Sequence, residues 1–237
     1  MKVSGVIIAY KNLEQAKALA ATTWGLEYWD NTEKNENIHR IWNRYLKTAA
    51  TEFFLILNPD TRPEPGWIEK MLYVFKQHPR IAAVGPSTDH CYNEQANRHP
   101  AIVGLAGDSW VPQVLIPGFC TLYRTEVVRE LGGFREDFTF YGGDLDLAYR
   151  LQLGGWLTAW AVSAFVWHEW GGAAKALGDE AYRKLRETGN RELQRTLQSY
   201  RGQVGLWIAR PGGGVDWRDF HGQEVVQVQG EEDVRGE

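Results

Sequence analysis

Along the first half of the chain, short β-branched or aromatic runs alternate with longer stretches whose apolar residues recur at helical spacing. Residues 3–10 (VSGVIIAY) read as a buried strand, Asn12 stands where a helix cap belongs, and 13–22 continue as helix. A second short strand covers 26–29. Ile38, Ile41, Trp42, Tyr45, Leu46 and Ala49 share one face of a helix that leads into the uninterrupted apolar strand 53–57. That strand stops at Asn58-Pro59-Asp60. Pro65 takes the first turn of a helix that runs on over 67–77, before a strand at 81–84. Strands alternating with helices predict an α/β fold with a mainly parallel central sheet.

From 87 to 107 the pattern fades into polar residues, DHCYNEQANRH among them, which reads as one long loop near the site rather than a linker between domains. Strands resume at 111–116 and 119–123. Thr125 caps a short helix ending at Leu131, Gly132-Gly133 break it, and a second helix runs from Asp144 to Gly154-Gly155. Residues 157–167 form a further strand, 171–178 are loose, 179–200 are helical, and VGLWIA and EVVQVQ are edge strands. The terminal GEEDVRGE is charged enough to be disordered.

A length of 237 residues with 43% apolar content is enough for one large α/β domain or two small ones. Lys and Arg number 26 against 30 Asp and Glu, a net charge of -4, so no nucleic-acid partner is expected. The local basic cluster Arg183, Lys184 and Arg186 faces either phosphate or solvent. Eleven tryptophans and ten tyrosines serve core packing or stacking against sugars and bases. Cys91 and Cys120 are too few for a disulfide framework and lack the spacing of a zinc site. The apolar run before Lys11 is too short for a signal peptide, and no segment approaches the roughly 20 apolar residues that crossing a bilayer needs. A cytoplasmic location is expected, with peripheral membrane contact left open.

In an open parallel sheet, ligands gather at the carboxyl ends of the strands. Asp30, Asp60 and Asp144 lie in three loops of that kind. Carboxylates brought together there need an oxygen-seeking cation, a hydrogen-bonding ligand or solvent to offset their repulsion. A diphosphate with Mg²⁺ or Mn²⁺ meets that need. Taken alone, Asn58-Pro59-Asp60 is as readily a strand-ending turn, and Asp144 as readily a helix cap. Asp146 lies about 200° round the helix from Asp144, so the two do not face one atom and its job is structural. His168 is either structural or, with a carboxylate and phosphate oxygens, a ligand of a divalent ion, and Glu169 is the fallback. Trp167 and Trp170 flank it and either stack on a sugar or pack under the sheet.

The stretch TEFFLILNPDTRPEPGWIEKML resembles the metal-binding region of family 2 glycosyltransferases of the GT-A fold, in a rhamnosyltransferase-like NPD form. PGFC, followed by YRTEVVRELGGFREDFTFYGGDLDLAYRLQLGGW, resembles the acceptor-side segment of the same family. The resemblance implies a Rossmann-like, mainly parallel sheet flanked by helices, with a small antiparallel acceptor-side portion. It implies one domain over 1–200, a nucleotide-sugar half at 1–86 and an acceptor half at 87–200, followed by an extension at 201–237. It implies transfer of a sugar from a nucleoside-diphosphate sugar to the hydroxyl of a carbohydrate or other acceptor, with inversion. Asp144 is then the general base, Asp60 and His168 hold a divalent metal (Mn²⁺ or Mg²⁺), and Ala9, Tyr10, Asp30, Asn31, Asn58 and Asp60 meet the donor.

The chain departs from the family pattern at three places. Gly143 stands where Glu is usual, no Gly-Ser follows Asp30-Asn31, and the first strand keeps only part of the motif. Two alternatives therefore stay open. One is a sugar nucleotidyltransferase, although the Gly-rich phosphate loop usual there is missing after the first strand. The other is a catalytically silent carbohydrate-binding or scaffold protein.

Overall fold

A computed structural model of the chain describes residues 2–23, 25–91, 95, 100, 106–169 and 178–199, together with the strands at 205–209, 215–219 and 224–227. Strand β1 (Val3–Ala9) leads through helix α1 (Leu13–Thr22) to β2 (Leu26–Asp30), and α2 (Ile38–Thr48) leads to β3 (Phe53–Leu57). β2 and β3 flank β1 and both pair with it in parallel, the arrangement that helical crossovers make possible.

The chain continues through β4 (Thr61–Pro63), α3 (Trp67–Gln77), β5 (Ile81–Ser87), β6 (Trp110–Pro112) and β7 (Cys120–Arg124). Then follow α4 (Thr125–Glu130), α5 (Gly143–Leu153), β8 (Leu157–His168) and α6 (Asp179–Ser199). The sheet order is β2-β1-β3-β7-β5-β8-β4, with β6 on β8. β7 enters antiparallel between β3 and β5, while β5 and β8 pair in parallel. β1, β2, β3, β5 and β8 therefore all run one way, and the sheet is mainly parallel as expected. β7, between β3 and β5, and β4 and β6, both against β8, supply the antiparallel portion.

β3 explains why the sheet forms in this order. All five of its side chains are buried, with Phe53, Leu55 and Leu57 in the layer of α1 and α3, and Phe54 and Ile56 in the layer of α2, α4 and α5. A strand covered on both faces reads as a continuous apolar run, which is the pattern FFLIL carries. Burying each such side chain contributes about 1.5–3 kcal/mol. On the second layer, the fully buried Asp146 accepts a hydrogen bond from Arg150 Nε at 2.7 Å, and Arg150 also donates to the carbonyls of Leu131 and Gly133 at 2.8 Å each. The pair ties α5 to the Gly132-Gly133 turn, the structural job expected of Asp146.

Several local expectations are corrected. Asn12 caps no helical N–H, because its Oδ1 accepts from the Tyr10 N–H at 2.9 Å instead. The side chain that does cap is Asn37, which accepts from the N–H groups of His39 and Arg40. Thr125 is the first residue of α4 rather than its cap, and its hydroxyl is buried without a hydrogen-bond partner among the described residues. Pro65 precedes α3, which enters through Gly66 at a φ of 78°, a left-handed conformation that suits glycine. The strand expected over 111–116 is cut at Pro112, which has no N–H for the ladder. The terminal strands are not edges of the main sheet: β9 (Gly205–Ala209), β10 (Val215–Asp219) and β11 (Glu224–Gln227) form an antiparallel sheet of their own, in the order β11-β10-β9. Most of the loop expected at 87–107, the loose 171–178 apart from Gly178, Trp170 and the terminal GEEDVRGE lie outside the described residues. Among the described residues no helix is long and apolar enough to cross a membrane.

Two substitutions test these supports. A Cβ at Gly5 would stand 2.0 Å from the Leu55 carbonyl oxygen, so Gly5→Ala must part β1 from β3 and is expected to cost about 1–3 kcal/mol in urea unfolding. Asp146→Ala leaves the Arg150 guanidinium without its buried partner and is expected to cost about 3–5 kcal/mol in the same measurement.

Candidate active site

The carboxyl ends of the parallel strands lie at one edge of the sheet, and the antiparallel β7 brings its amino end there too. β3 runs out into Asn58-Pro59-Asp60, and both ends of this turn are fixed by backbone bonds. Asn58 N–H donates to the Phe119 carbonyl at 2.7 Å, and the Asp60 carbonyl accepts from Glu169 N–H at 2.9 Å. Thr61 pairs with His168 in the β4–β8 ladder. The side chains of Asp60 and His168 are thereby brought together, Oδ1 to Nε2 at 3.7 Å, and each is almost buried.

The tautomer of His168 follows from its other contacts. Its Nδ1 lies 3.1 Å from the His90 carbonyl oxygen, which can only accept, so the ring proton sits on Nδ1. Nε2 is the ring nitrogen nearer the Asp60 carboxylate, and at 3.7 Å the two are too far apart for a hydrogen bond. A ligating imidazole that donates its second N–H to a backbone carbonyl is the usual supporting arrangement for a metal. Asp89 Oδ1 accepts from the His168 backbone N–H at 2.9 Å, and the Phe119 ring stacks on the imidazole at 4.4 Å. Among the described residues no third His, Cys, Asp or Glu joins this pair in a metal-binding group. A divalent cation held by such a pair would take its other ligands from phosphate oxygens or water.

Asp144 approaches from α5. Gly142, at a φ of 98°, opens the helix, and the Asp144 carboxylate accepts from the Gly118 N–H at 2.8 Å. A Cβ at Gly118 would stand 2.8 Å from the same carboxylate oxygen, so a glycine is needed for this approach. Desolvation pushes the Asp144 carboxyl above its ordinary value, while hydrogen bonds from the Gly118, Leu145 and Asp144 N–H groups oppose the rise. The side chain keeps partial access to the cavity that it lines.

Two cavities open along this edge and share Ile38, Trp42, Asn58, Asp60 and Phe140. The first, of ≈ 420 Å³, includes Tyr10, Asn31 and Asn37; the second, of ≈ 450 Å³, includes Gly118, Asp144, His168, Tyr182 and Arg186. Asn58 and Asp60 thus stand at the boundary, with Asp144 and His168 on one side and Tyr10 and Asn31 on the other. Volumes of this order suit a small organic ligand each.

The remaining expected donor residues lie differently. Ala9 is fully buried in the core, and its carbonyl accepts from Asn31 N–H at 2.9 Å. Asn31 is 3% exposed, and its amide is spent on Glu36, giving to the carbonyl and taking from the N–H at 2.8 Å each. Its position shapes the 31–36 loop that walls the first cavity. Asp30 lies outside both cavities, in a shallow depression with Lys11 and Thr32. Hydrogen bonds from the Thr32 hydroxyl and N–H hold its carboxyl below the ordinary range.

Three lining residues, His39, Trp42 and Tyr182, were not read as site residues, and Arg186 was read only as part of a basic cluster facing phosphate or solvent. His39 and Trp42 belong to the helix face that faces the core, while Tyr182 and Arg186 come from α6. Within the basic cluster only Arg186 reaches the cavity, its guanidinium 5.7 Å from the Tyr182 ring; its spacing from Tyr182 on one helix face was the available signal. Trp167 donates to Glu64 at 2.5 Å and stacks under the Arg62 guanidinium, lining a third groove that Asp60 and His168 also border.

Comparison with known proteins places this arrangement. The chain is 27% identical over 143 residues to the N-acetylglucosaminyl-diphospho-decaprenol L-rhamnosyltransferase of Mycobacterium tuberculosis (strain CDC 1551 / Oshkosh), covering 49% of this chain and 47% of that protein. It is 29% identical over 142 residues to the O-antigen biosynthesis protein RfbC of Myxococcus xanthus, covering 50% of this chain and 11% of that one. The chain thus spans less than half the length of these curated relatives. The solved structure of GalNAc-T7 with UDP, GalNAc and Mn²⁺ has the same fold, with a TM-score of 0.51, 12% identity, and 88% of this chain and 59% of that chain covered. Residues 53–211, which carry Asp60, Asp144 and His168 on the GT-A sheet, match the model of the Glycosyl transferase family group 2, and the chain belongs to that family.

Proposed function

We propose that this chain transfers a sugar from a nucleoside-diphosphate donor to an acceptor hydroxyl, with a divalent cation held by Asp60 and His168 and with Asp144 as the base. The observation that carries the reading is the placing of Asp60 Oδ1 and His168 Nε2 3.7 Å apart, with Asp60 on the boundary between two cavities. Membership of the family supports the reaction class, and the relatives' names supply rhamnosyl transfer as one instance of it.

The donor's nucleoside belongs in the first cavity, between Tyr10 and the loop that Asn31 closes, in the 1–86 half of the domain. Its diphosphate reaches the boundary at Asn58 and Asp60. Asp60 and His168 would hold a divalent cation there, and it would supply charge neutralisation for the leaving diphosphate. The acceptor enters the second cavity, walled mainly by the 87–200 half, where Asp144 takes the proton from its hydroxyl. The hydroxyl oxygen forms a bond to the anomeric carbon, the bond from that carbon to the diphosphate breaks, and the nucleoside diphosphate departs with the electron pair. One displacement on the face opposite the leaving group inverts the anomeric centre. Asp144 suits the role because burial raises its affinity for a proton while the Gly118 N–H fixes its orientation.

Asp60→Ala and Asp144→Asn are each expected to keep the fold, judged by circular dichroism, and to lower transfer at least about tenfold. Wild-type transfer by Asp60→Ala would remove the metal role. The pH dependence follows from Asp144. A carboxyl whose pKa is raised is ionised, and so able to act as a base, only above that raised value. The acid limb of kcat/KM is therefore expected above the ordinary aspartate range; an acid limb at or below that range would count against Asp144 as the base.

A further inference from the structure

Tyr182, Arg186, Gly189, Asn190 and Leu193 recur at helical spacing on one face of α6, and they line the cavity that also holds Asp60, Asp144 and His168. Two contacts hold the helix in that place. The Glu192 carboxylate accepts from the Thr139 N–H at 2.9 Å and from its hydroxyl at 2.7 Å. Gly189 lies so close to Tyr141 that a Cβ would stand 2.6 Å from the Tyr141 Cβ and 2.9 Å from its carbonyl oxygen. A glycine inside a helix is unfavourable, and here the close approach explains it. About one turn before Gly189, the same face carries the Arg186 guanidinium, 5.7 Å from the Tyr182 ring.

Arg186 is the sole Lys or Arg among the described residues that line the two cavities. Among the described residues no ion pair engages it. The carboxylates of the first cavity have guanidinium partners of their own: Glu36 with Arg44, Glu136 with Arg40 and Asp137 with Arg135. That cavity carries no surplus positive charge, which suits a neutral nucleoside. Tyr141 relates the Arg186 guanidinium to the boundary between the cavities. Burial and the hydrogen bond with Tyr182 push its phenol above the ordinary range, and the Asp60 carboxylate adds to the rise while Arg186 opposes it, so both charges act on one hydroxyl. The Asp144 carboxyl takes its shift from burial and from backbone N–H groups instead. Arg186 therefore groups with Asp60 rather than with Asp144.

We propose that Arg186 is a diphosphate-binding residue, its guanidinium taking phosphate oxygens of the donor that face the second cavity and stabilising the charge that the nucleoside diphosphate gains on leaving. The proposal rests on the glycosyl-transfer reading and adds a residue to its leaving-group side. When the bond from the anomeric carbon breaks, the diphosphate keeps the electron pair and gains negative charge. A guanidinium presents a fork of N–H donors that matches phosphate oxygens, and its charge-assisted hydrogen bonds strengthen as that charge builds. Gly189 serves the same end, because α6 must lie against Tyr141 for Arg186 to reach the cavity.

The test compares Arg186→Met, which keeps an unbranched stem and removes the charge, with Arg186→Lys, which restores a charge. Calorimetry in the presence of Mn²⁺ measures binding of UDP, GDP and dTDP, and saturation-transfer NMR measures the weaker binding of the matching nucleosides. For the base that the wild type binds, Arg186→Met is expected to raise the Kd of the nucleoside diphosphate at least about tenfold. The Kd of the nucleoside and the stability in urea are expected to stay at wild-type values. Arg186→Lys is expected to recover part of the loss. An unchanged diphosphate Kd in Arg186→Met, or a loss of its stability, would overturn the proposal. So would equal weakening of the nucleoside, which marks a displaced cavity wall rather than a lost phosphate contact. A raised KM for a neutral acceptor glycoside, with the diphosphate Kd unchanged, would overturn it too and assign Arg186 to the acceptor. A wild type that binds none of the three nucleoside diphosphates would instead sink the glycosyl-transfer reading on which the proposal stands.

Discussion

The two-sided burial of β3 is the constraint on which the rest of the structure depends. With Phe53, Leu55 and Leu57 packed in one layer and Phe54 and Ile56 in the other, the strand can neither slide nor rotate without moving apolar side chains into water. Its carboxyl end is therefore a fixed point. The Asn58-Pro59-Asp60 turn inherits that rigidity and is tied again by the Asn58–Phe119 and Asp60–Glu169 backbone bonds. A carboxylate proposed to hold a metal would need this kind of support, since a site held loosely loses the geometry that makes it selective.

Around that point the fold sets groups of different electrostatic character in contact. Asp60 and His168 stand 3.7 Å apart, Oδ1 to Nε2, both almost buried. Asp144, drawn in by Gly118 and desolvated, holds its proton more tightly than a free aspartate. Asp146, two residues on, is buried as an ion because Arg150 and Arg135 lie 2.7 and 3.7 Å away. Neighbouring carboxylates on one helix thus do separate work, one facing a cavity and the other holding α5 to the turn before it.

Much of the fold was legible in the sequence because β3, α2 and α3 bury large apolar faces, and such faces impose their period on the chain. The ends of the elements were less so. Asn12 and Thr125 have the chemistry of caps, but a nearby Tyr10 N–H and a one-residue shift took those roles away. β10 escaped notice because VDWRD carries only two apolar residues. The convergence of Asp60, Asp144 and His168 was anticipated from motif order, whereas Ala9 and Asp30 turned away from the cavities. A strand side chain points to one face or the other, and position in a motif does not decide which. His39 and Trp42 were not legible as cavity-lining residues because they share with Ile41 and Leu46 the buried side of α2.

The central claim is that a divalent ion and a nucleoside diphosphate occupy the Asp60–His168 edge together. Calorimetric titration with a panel of UDP-, GDP- and dTDP-sugars, with and without Mn²⁺, measures this directly. The account predicts saturable binding of at least one donor that is greatly weakened when Mn²⁺ is left out. Binding to none of them in the presence of metal, or binding indifferent to metal, would contradict it.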